Sequence, residues 1–211
     1  MMGRLPYGLE RLPSGLGADD ARLPGAVLGA APLRLNSEPL PPAFFPPNDD
    51  SHAVRVAALA DWLNAACGDY APLRRRFVAL YLAFVAAHLR RHRDALAERL
   101  RRFDGLFRPE DFFWSALRPL PRAFVSVGQG RLLVDFVFWD GRQLIAVMIG
   151  DENAKNDAAL AVAGASVHRI TAADLGGDPA AVIEKSLPES VRDFWTGEVL
   201  PLSPFRRAIG Q

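Results

Sequence analysis

The stretch LLVDFVFWDGRQLIAVMIGDENAK, residues 132–155, decides the fold of this chain. Branched and aromatic residues fill both of its halves, and Asp140-Gly141 between them is a strong signal for a hairpin turn. The stretch therefore predicts two paired strands. Asp135 lies inside the first strand between apolar neighbours, whereas the second strand carries no polar side chain. A buried carboxylate must be paired, hydrogen-bonded or protonated, and the candidate partners are Arg131, Arg142 and a backbone N–H.

Helical and strand patterns surround this hairpin on both sides. Residues 108–120 contain Pro109 and two acidic residues in what would be the first turn of a helix, and residues 123–127 predict a strand. After the hairpin, residues 153–164 predict a helix closed by a glycine, and residues 165–170 predict another strand. The order α, β, β, β, α, β, α from residue 109 predicts the α+β class, with a C-terminal mixed β-sheet flanked by helices.

The N-terminal half has a different composition. Residues 1–50 are rich in proline and glycine, with five prolines between residues 38 and 50, and this composition predicts an extended arm. The arm also carries leucine, valine and phenylalanine, so we expect it to lie along a surface of its own body or of a partner; the alternative is a flexible leader. Residues 51–107 predict a helical region, with one helix that ends at Gly68 and a second that runs from about Pro72 to Phe103. Residues 108–211 form the third part of the chain.

Charge is unevenly distributed along a chain whose net charge is only +1. This balance gives the whole chain no strong preference for nucleic acid. Arginines nevertheless crowd residues 74–102, where they could contact phosphates or an acidic partner, or form a solvated, ion-paired helix face. The candidate residues for binding DNA or a protein partner are Arg74, Arg75, Arg76, Arg90, Arg91 and Arg93.

The cysteine content and the hydropathy of the sequence bear on the compartment in which the protein is expected to occur. Cys67 is the only cysteine, which excludes an internal disulfide and a cysteine-based metal site and fits a reducing cytoplasm. The longest apolar run, residues 77–89, is shorter than the ~20 residues that a membrane span needs. We therefore expect a cytoplasmic protein without a membrane span.

Five pieces of sequence resemble one known family. The opening helix of that family reads E-x-x-x-W-x-x-L-R, its central strand contains V-D-F, its next strand reads L-V-V-E-V-D-G where this chain has LIAVMIG (residues 144–150), and later pieces read R-D-x-x-L-x-x-x-G and V-x-R. The matching residues here are Glu110, Trp114, Leu117, Arg118, Val134, Asp135, Phe136, Asp157, Leu160, Gly164, Val167 and Arg169. Segment 109–183 thus resembles the small endonuclease-like domains of the very-short-patch repair type, the domain-of-unknown-function 559 group of the restriction-endonuclease-like superfamily.

The resemblance implies that residues 108–211 form a restriction-endonuclease-like domain, which has the fold of a metal-dependent nuclease but an incomplete site. In such nucleases, carboxylates of the strand pair and the opening-helix glutamate hold Mg²⁺, which polarises a phosphodiester and a water. Asp135 and Glu110 are present. The two acids of the next strand are replaced by Val147 and Ile149. The resemblance therefore implies a degenerate, non-catalytic domain without a cofactor, which acts in DNA binding or within a protein assembly.

Two alternatives remain open at the level of sequence. A two-residue turn places Asp135 opposite Ala146, and a one-residue shift turns it toward Ile145 and Val147; neither register supplies an oxygen ligand. An active Mg²⁺-dependent endonuclease would then need a displaced site made of Asp135, Glu152 and Lys155. The other alternative is a structural subunit whose N-terminal arm, within residues 1–50, threads along a partner.

Overall fold

A computed structural model describes residues 9–10, 25–26, 34–35, 52–68, 71–103, 107–127, 130–139, 143–150 and 154–193. The α-helices are α1 His52–Ala66, α2 Pro72–Arg91, α3 Arg93–Leu100, α4 Ala154–Val162, α5 Pro179–Ser186 and α6 Glu189–Arg192. The strands are β1 Leu9–Glu10, β2 Gly25–Ala26, β3 Arg34–Leu35, β4 Leu120–Val127, β5 Gly130–Trp139, β6 Leu144–Ile149 and β7 Ala165–Ile170. Short 3₁₀ helices cover Arg101–Phe103, Pro109–Ser115 and Asp174–Gly176.

The central element is a mixed sheet of four main strands in the order β4-β5-β6-β7. The first two neighbouring pairs are antiparallel, and β6 pairs with β7 in parallel. Helix α4 makes the crossover that a parallel connection requires. The two-residue strand β2 extends the sheet by pairing in parallel with Phe124 and Val125 of β4. The predicted mixed sheet flanked by helices is therefore confirmed.

Helices cover both faces of this sheet, which explains why β6 has no polar residue. Ile145 and Val147 belong to a first buried cluster, shared with α1, α2, α3 and α5. Leu144 and Ala146 belong to a second cluster on the other face, together with Leu160 of α4. These four residues, the first four of the six in β6, are fully buried. A strand buried on both faces reads as a continuous apolar run.

Helix α2 packs directly on the sheet and joins the helical region to the strands. The rings of Phe77 and Phe136 are 4.6 Å apart, and those of Tyr81 and Phe138 are 5.3 Å apart. The buried Tyr81 hydroxyl donates a hydrogen bond of 2.6 Å to the Leu117 carbonyl. Residues on both sides of position 107 therefore share one core. No helix in the described part of the chain is both long and apolar enough to cross a bilayer.

Three local expectations were wrong. The helix predicted from Pro72 to Phe103 is interrupted at His92, where neither glycine nor proline marks the break. The helix predicted after Arg108 is a 3₁₀ helix. In the hairpin, Phe136 lies opposite Val147 and Trp139 opposite Leu144, so the connection has four residues instead of two. Its residues 140–142 lie outside the described part of the chain.

Gly68 ends α1, as its position after the helix predicts, and its positive φ is the feature that favours glycine there. Its φ is +83°, and a Cβ built there would lie 2.8 Å from Arg122 Nη1. Gly164 has a positive φ of +89° but no atom within 4 Å of an added Cβ, and Gly176 has neither constraint.

We expect Gly68→Ala to lower the free energy of unfolding by about 1–3 kcal/mol, because alanine is strained at this positive φ and the end of the Arg122 side chain must also move aside. Gly164→Ala should cost less, and Gly176→Ala least. Urea unfolding of the three variants checks this order. A Gly68→Ala variant as stable as Gly176→Ala would contradict the structure at the end of α1.

Candidate functional site

Asp135 lies at an irregular point of the sheet. The β4–β5 ladder pairs Pro121 with Phe136 and Ala123 with Val134, but the intervening position, Arg122 beside Asp135, is not paired. Arg122 has a φ of +51°, a conformation uncommon for residues other than glycine. The alternation of side chains changes here as well, because Val134 and Val137, three residues apart, both join the second cluster.

Among the described residues, the Asp135 carboxylate has two partners, one for each oxygen. Arg74 Nε donates to Oδ1 at 2.6 Å, and the backbone N–H of Ile149 donates to Oδ2 at 2.8 Å. The side chains of Arg74 and Asp135 are 28% and 14% exposed, so solvent screens this ion pair only in part. The backbone partner was among the candidates from sequence. The charged partner is Arg74 of α2, 61 residues earlier in the chain; the side chains of Arg131 and Arg142 lie outside the described residues.

Arg74 also binds the end of α1. Its Nη1 lies 3.5 Å from the Cys67 carbonyl, and Arg75 Nη2 donates to the Gly68 carbonyl at 3.2 Å. The last carbonyls of a helix have no partner within the helix, so cations placed there stabilise it. Arg74 thus connects the end of α1, the first turn of α2 and the centre of β5.

The remaining members of the implied nuclease site do not assemble around Asp135. Val147 is fully buried in the first cluster, and Ile149 packs against it. Glu110 pairs with Arg93 at 3.6 Å. Lys155 is exposed in the first turn of α4, and Glu152 lies outside the described residues. Within the described ranges, no three histidine, cysteine, aspartate or glutamate side chains come together as metal ligands.

The six candidate arginines form two separate groups at the two ends of α2. Arg76 and Arg90 are 14 positions apart, about 21 Å along a helix at ~1.5 Å per residue. Arg74 and Arg76 are engaged within the fold, since Arg76 Nε donates to the Leu175 carbonyl at 3.0 Å. At the other end, Arg91 lies 3.8 Å from Glu184. The arginines therefore do not make one continuous basic surface.

Two residues matched by the resemblance bind each other. Arg169 of β7 forms two hydrogen bonds to Asp157 of α4, at 2.7 and 2.9 Å, and a third to the Gly150 carbonyl at 3.3 Å. Both hydrogen bonds to Asp157 come from Arg169 Nη2, one to each carboxylate oxygen, and a hydrogen bond between two ionised groups is stronger than one between neutral groups. These two residues fasten the crossover helix to the sheet, so their place in the motif has a structural reason.

A groove lies between α1, α2 and the 3₁₀ helix Pro109–Ser115, and sequence reasoning missed it. Its volume is about 570 Å³. Alanines from both helices line it: Ala53, Ala57, Ala60, Ala79, Ala83 and Ala86. Polar residues gather where α1 begins and α2 ends, namely His52, Arg90, Arg93 and Glu110. The alanine spacing of three and four residues is visible in the sequence, but it is also common in buried helices.

Comparison with protein-family models, with curated proteins and with solved structures found no match. The geometry around Asp135 and the groove are therefore the two features from which a function can be inferred.

The Asp135–Arg74 contact predicts strong energetic coupling. In a double-mutant cycle with Asp135→Asn and Arg74→Gln, we expect a coupling energy of about 1–3 kcal/mol. Either single substitution already removes the charged hydrogen bond in this partly buried site, so the double variant should lose less stability than the sum of the two single variants. The matched control is the pair Arg91 and Glu184, which is 60% and 50% exposed. Its coupling should be about 0.5 kcal/mol or less. Equal coupling in the two pairs, measured by urea unfolding, would contradict a special role for Asp135.

Cys67 provides a second test of the same region. Burial raises the pKa of its thiol to about 11, although the nearby Arg74 and Arg75 act in the opposite direction. The side chain is fully buried, so we expect no reaction with a thiol reagent at neutral pH until the protein unfolds. Reaction of one thiol per chain in the folded protein, as fast as in denaturant, would show that the end of α1 is open.

Proposed function

We propose that this chain is a non-catalytic domain of the restriction-endonuclease-like type that works as a component of a protein assembly. The observation that carries the proposal is the pairing of Asp135 with Arg74 and the Ile149 N–H. A Mg²⁺ ion binds carboxylate oxygens directly. Here a metal would have to displace a guanidinium from Oδ1 and a backbone donor from Oδ2.

Displacement would be unfavourable for a second reason. The Arg74 guanidinium would lose its carboxylate partner in a partly buried position, and removing one member of such a pair is destabilising. The metal would also lie close to that positive charge. No oxygen side chain on β6 compensates, because Val147 is core and the strand has the sequence LIAVMI.

Protein binding is favoured over DNA binding by the placement of charge. Contacts with phosphates need several cations on one surface. The arginines here are divided between the two ends of α2, and two of those at its start are engaged within the fold. The N-terminal arm, by contrast, carries apolar residues at intervals, and part of it pairs with β4. The arm within residues 1–50 is therefore the part proposed to reach a partner.

Cleavage of plasmid and single-stranded DNA with Mg²⁺ or Mn²⁺ tests the absence of catalysis. We expect no metal-dependent cutting by the wild type, Asp135→Asn or Lys155→Ala, with folding of each variant checked by circular dichroism. Cutting by the wild type that is lost in both variants would instead support the displaced site of Asp135, Glu152 and Lys155.

DNA binding is tested separately. Affinity that falls steeply with salt, and that is lost when Arg90, Arg91 and Arg93 are replaced by alanine, would favour DNA as the partner. For the proposed assembly role, we expect only weak affinity for DNA, and no change in that affinity when Arg90, Arg91 and Arg93 are replaced by alanine. We also expect a protein that co-purifies with the full chain and is lost when residues 1–36 are deleted. A partner retained equally by both forms would contradict the role of the arm.

A further inference from the structure

The groove between α1, α2 and the 3₁₀ helix is an exposed apolar surface. Ala53, Ala57, Ala79 and Ala83 are all exposed, and they follow each helix at one-turn spacing. Small side chains on two neighbouring helices leave room for larger side chains of another segment. Exposed apolar grooves of this kind mark contact sites for polypeptide segments.

The polar end of the groove defines the charge of its occupant. Arg90 is exposed and has no ion pair with another residue in the part of the chain that the structure describes. Arg93 faces Glu110 at 3.6 Å, and both side chains are more than 40% exposed. Burial lowers the pKa of His52, which favours its neutral form. The polar end of the groove therefore has two guanidiniums, Arg90 and Arg93, and one carboxylate, Glu110. Because positive charge is in excess there, a segment with apolar side chains followed by acidic ones is complementary to the groove.

The sequence directly before α1 has this chemistry. Residues 43–50 read AFFPPNDD, with two phenylalanines followed by two aspartates, and they lie outside the described part of the chain. We propose that segment 43–50 of the same chain occupies the groove, with Phe45 among the alanines and the carboxylates of Asp49 and Asp50 toward Arg90. The inference does not depend on the proposed function, because a catalytic domain could carry the same contact.

Distance and tethering favour this occupant over a free partner. Phe45 precedes His52 by seven residues, a reach of up to ~23 Å at ~3.3 Å per residue. The α1 side of the groove, from His52 to Ala60, is only about 12 Å long at ~1.5 Å per residue. A short tether gives an effective concentration in the millimolar range, which a dissolved partner seldom reaches. Pro46 and Pro47 also restrict the segment before it binds, which lowers the entropic cost of ordering it.

Disulfide trapping in the full chain tests the proposal. The variant Phe44→Cys with Ala83→Cys keeps the proposed anchor Phe45 and should form an intramolecular disulfide under mild oxidation, seen by mass spectrometry and by a mobility shift without reductant. The matched control is Phe44→Cys with Val162→Cys, because Val162 is 90% exposed on α4, against the opposite face of the sheet. Native Cys67 is fully buried and stays in both variants.

A disulfide in the first variant, at least tenfold faster than in the control, is the result expected. Equal rates in the two variants, or no disulfide in either, would overturn the proposal. Disulfide-linked dimers in place of the intramolecular product would also overturn it, since they would assign the groove to the arm of a second copy.

Proteolysis provides a second readout that needs no new cysteine. Ala83→Glu places a carboxylate in the groove and should raise the rate of chymotrypsin cleavage between Phe44 and Phe45 several-fold. Val162→Glu is the control and should leave the rate unchanged. Retained protection of the Cys67 thiol in both variants would show that the body is folded. Cleavage as fast in the wild type as in Ala83→Glu would contradict the docking of this segment.

Discussion

The contact between Asp135 and Arg74 is the interaction on which the rest of the structure depends. It joins a strand in the centre of the sheet to the first turn of α2, and through the Cys67 carbonyl to the end of α1. Helix α2 then contributes Phe77 and Tyr81 to the core above the sheet. One carboxylate therefore fixes the entry of the helix that covers the sheet. The same contact, with the Ile149 N–H, gives the Asp135 carboxylate hydrogen-bond donors from within the fold.

The same contact shows why the sequence could predict the strands but not the partner. Alternation and turn signals follow from neighbours along the chain, so the sheet, the crossover helix and the glycine at position 68 could be predicted. The Arg74 partner is 61 residues away, and its position depends on how α2 lies across the sheet. The positive φ of Arg122 and the change of side-chain alternation beside Asp135 also have no signal in the sequence. The hairpin register was also predicted wrongly. Asp140-Gly141 suggested a connection of two residues, whereas four residues join the paired strands.

Several residues that resemble the nuclease domains have a structural role in this fold. Of the matched residues, Asp157 and Arg169 bind each other, and Trp114 is buried in the core. Positions at which the family has acids, Val147 and Ile149, contribute to the first cluster. A partly buried carboxylate needs hydrogen-bond donors. The Arg74 guanidinium and the Ile149 N–H provide them for Asp135.

The most direct test of this account uses Mn²⁺ as a paramagnetic probe in amide NMR spectra. If the Asp135 carboxylate is occupied by Arg74 and the Ile149 N–H, the Ile149 amide signal should persist as Mn²⁺ is added, and to the same extent in Asp135→Asn. Selective broadening of the Ile149 signal by Mn²⁺ in the wild type, abolished in Asp135→Asn, would show that the carboxylate binds metal and would contradict the account.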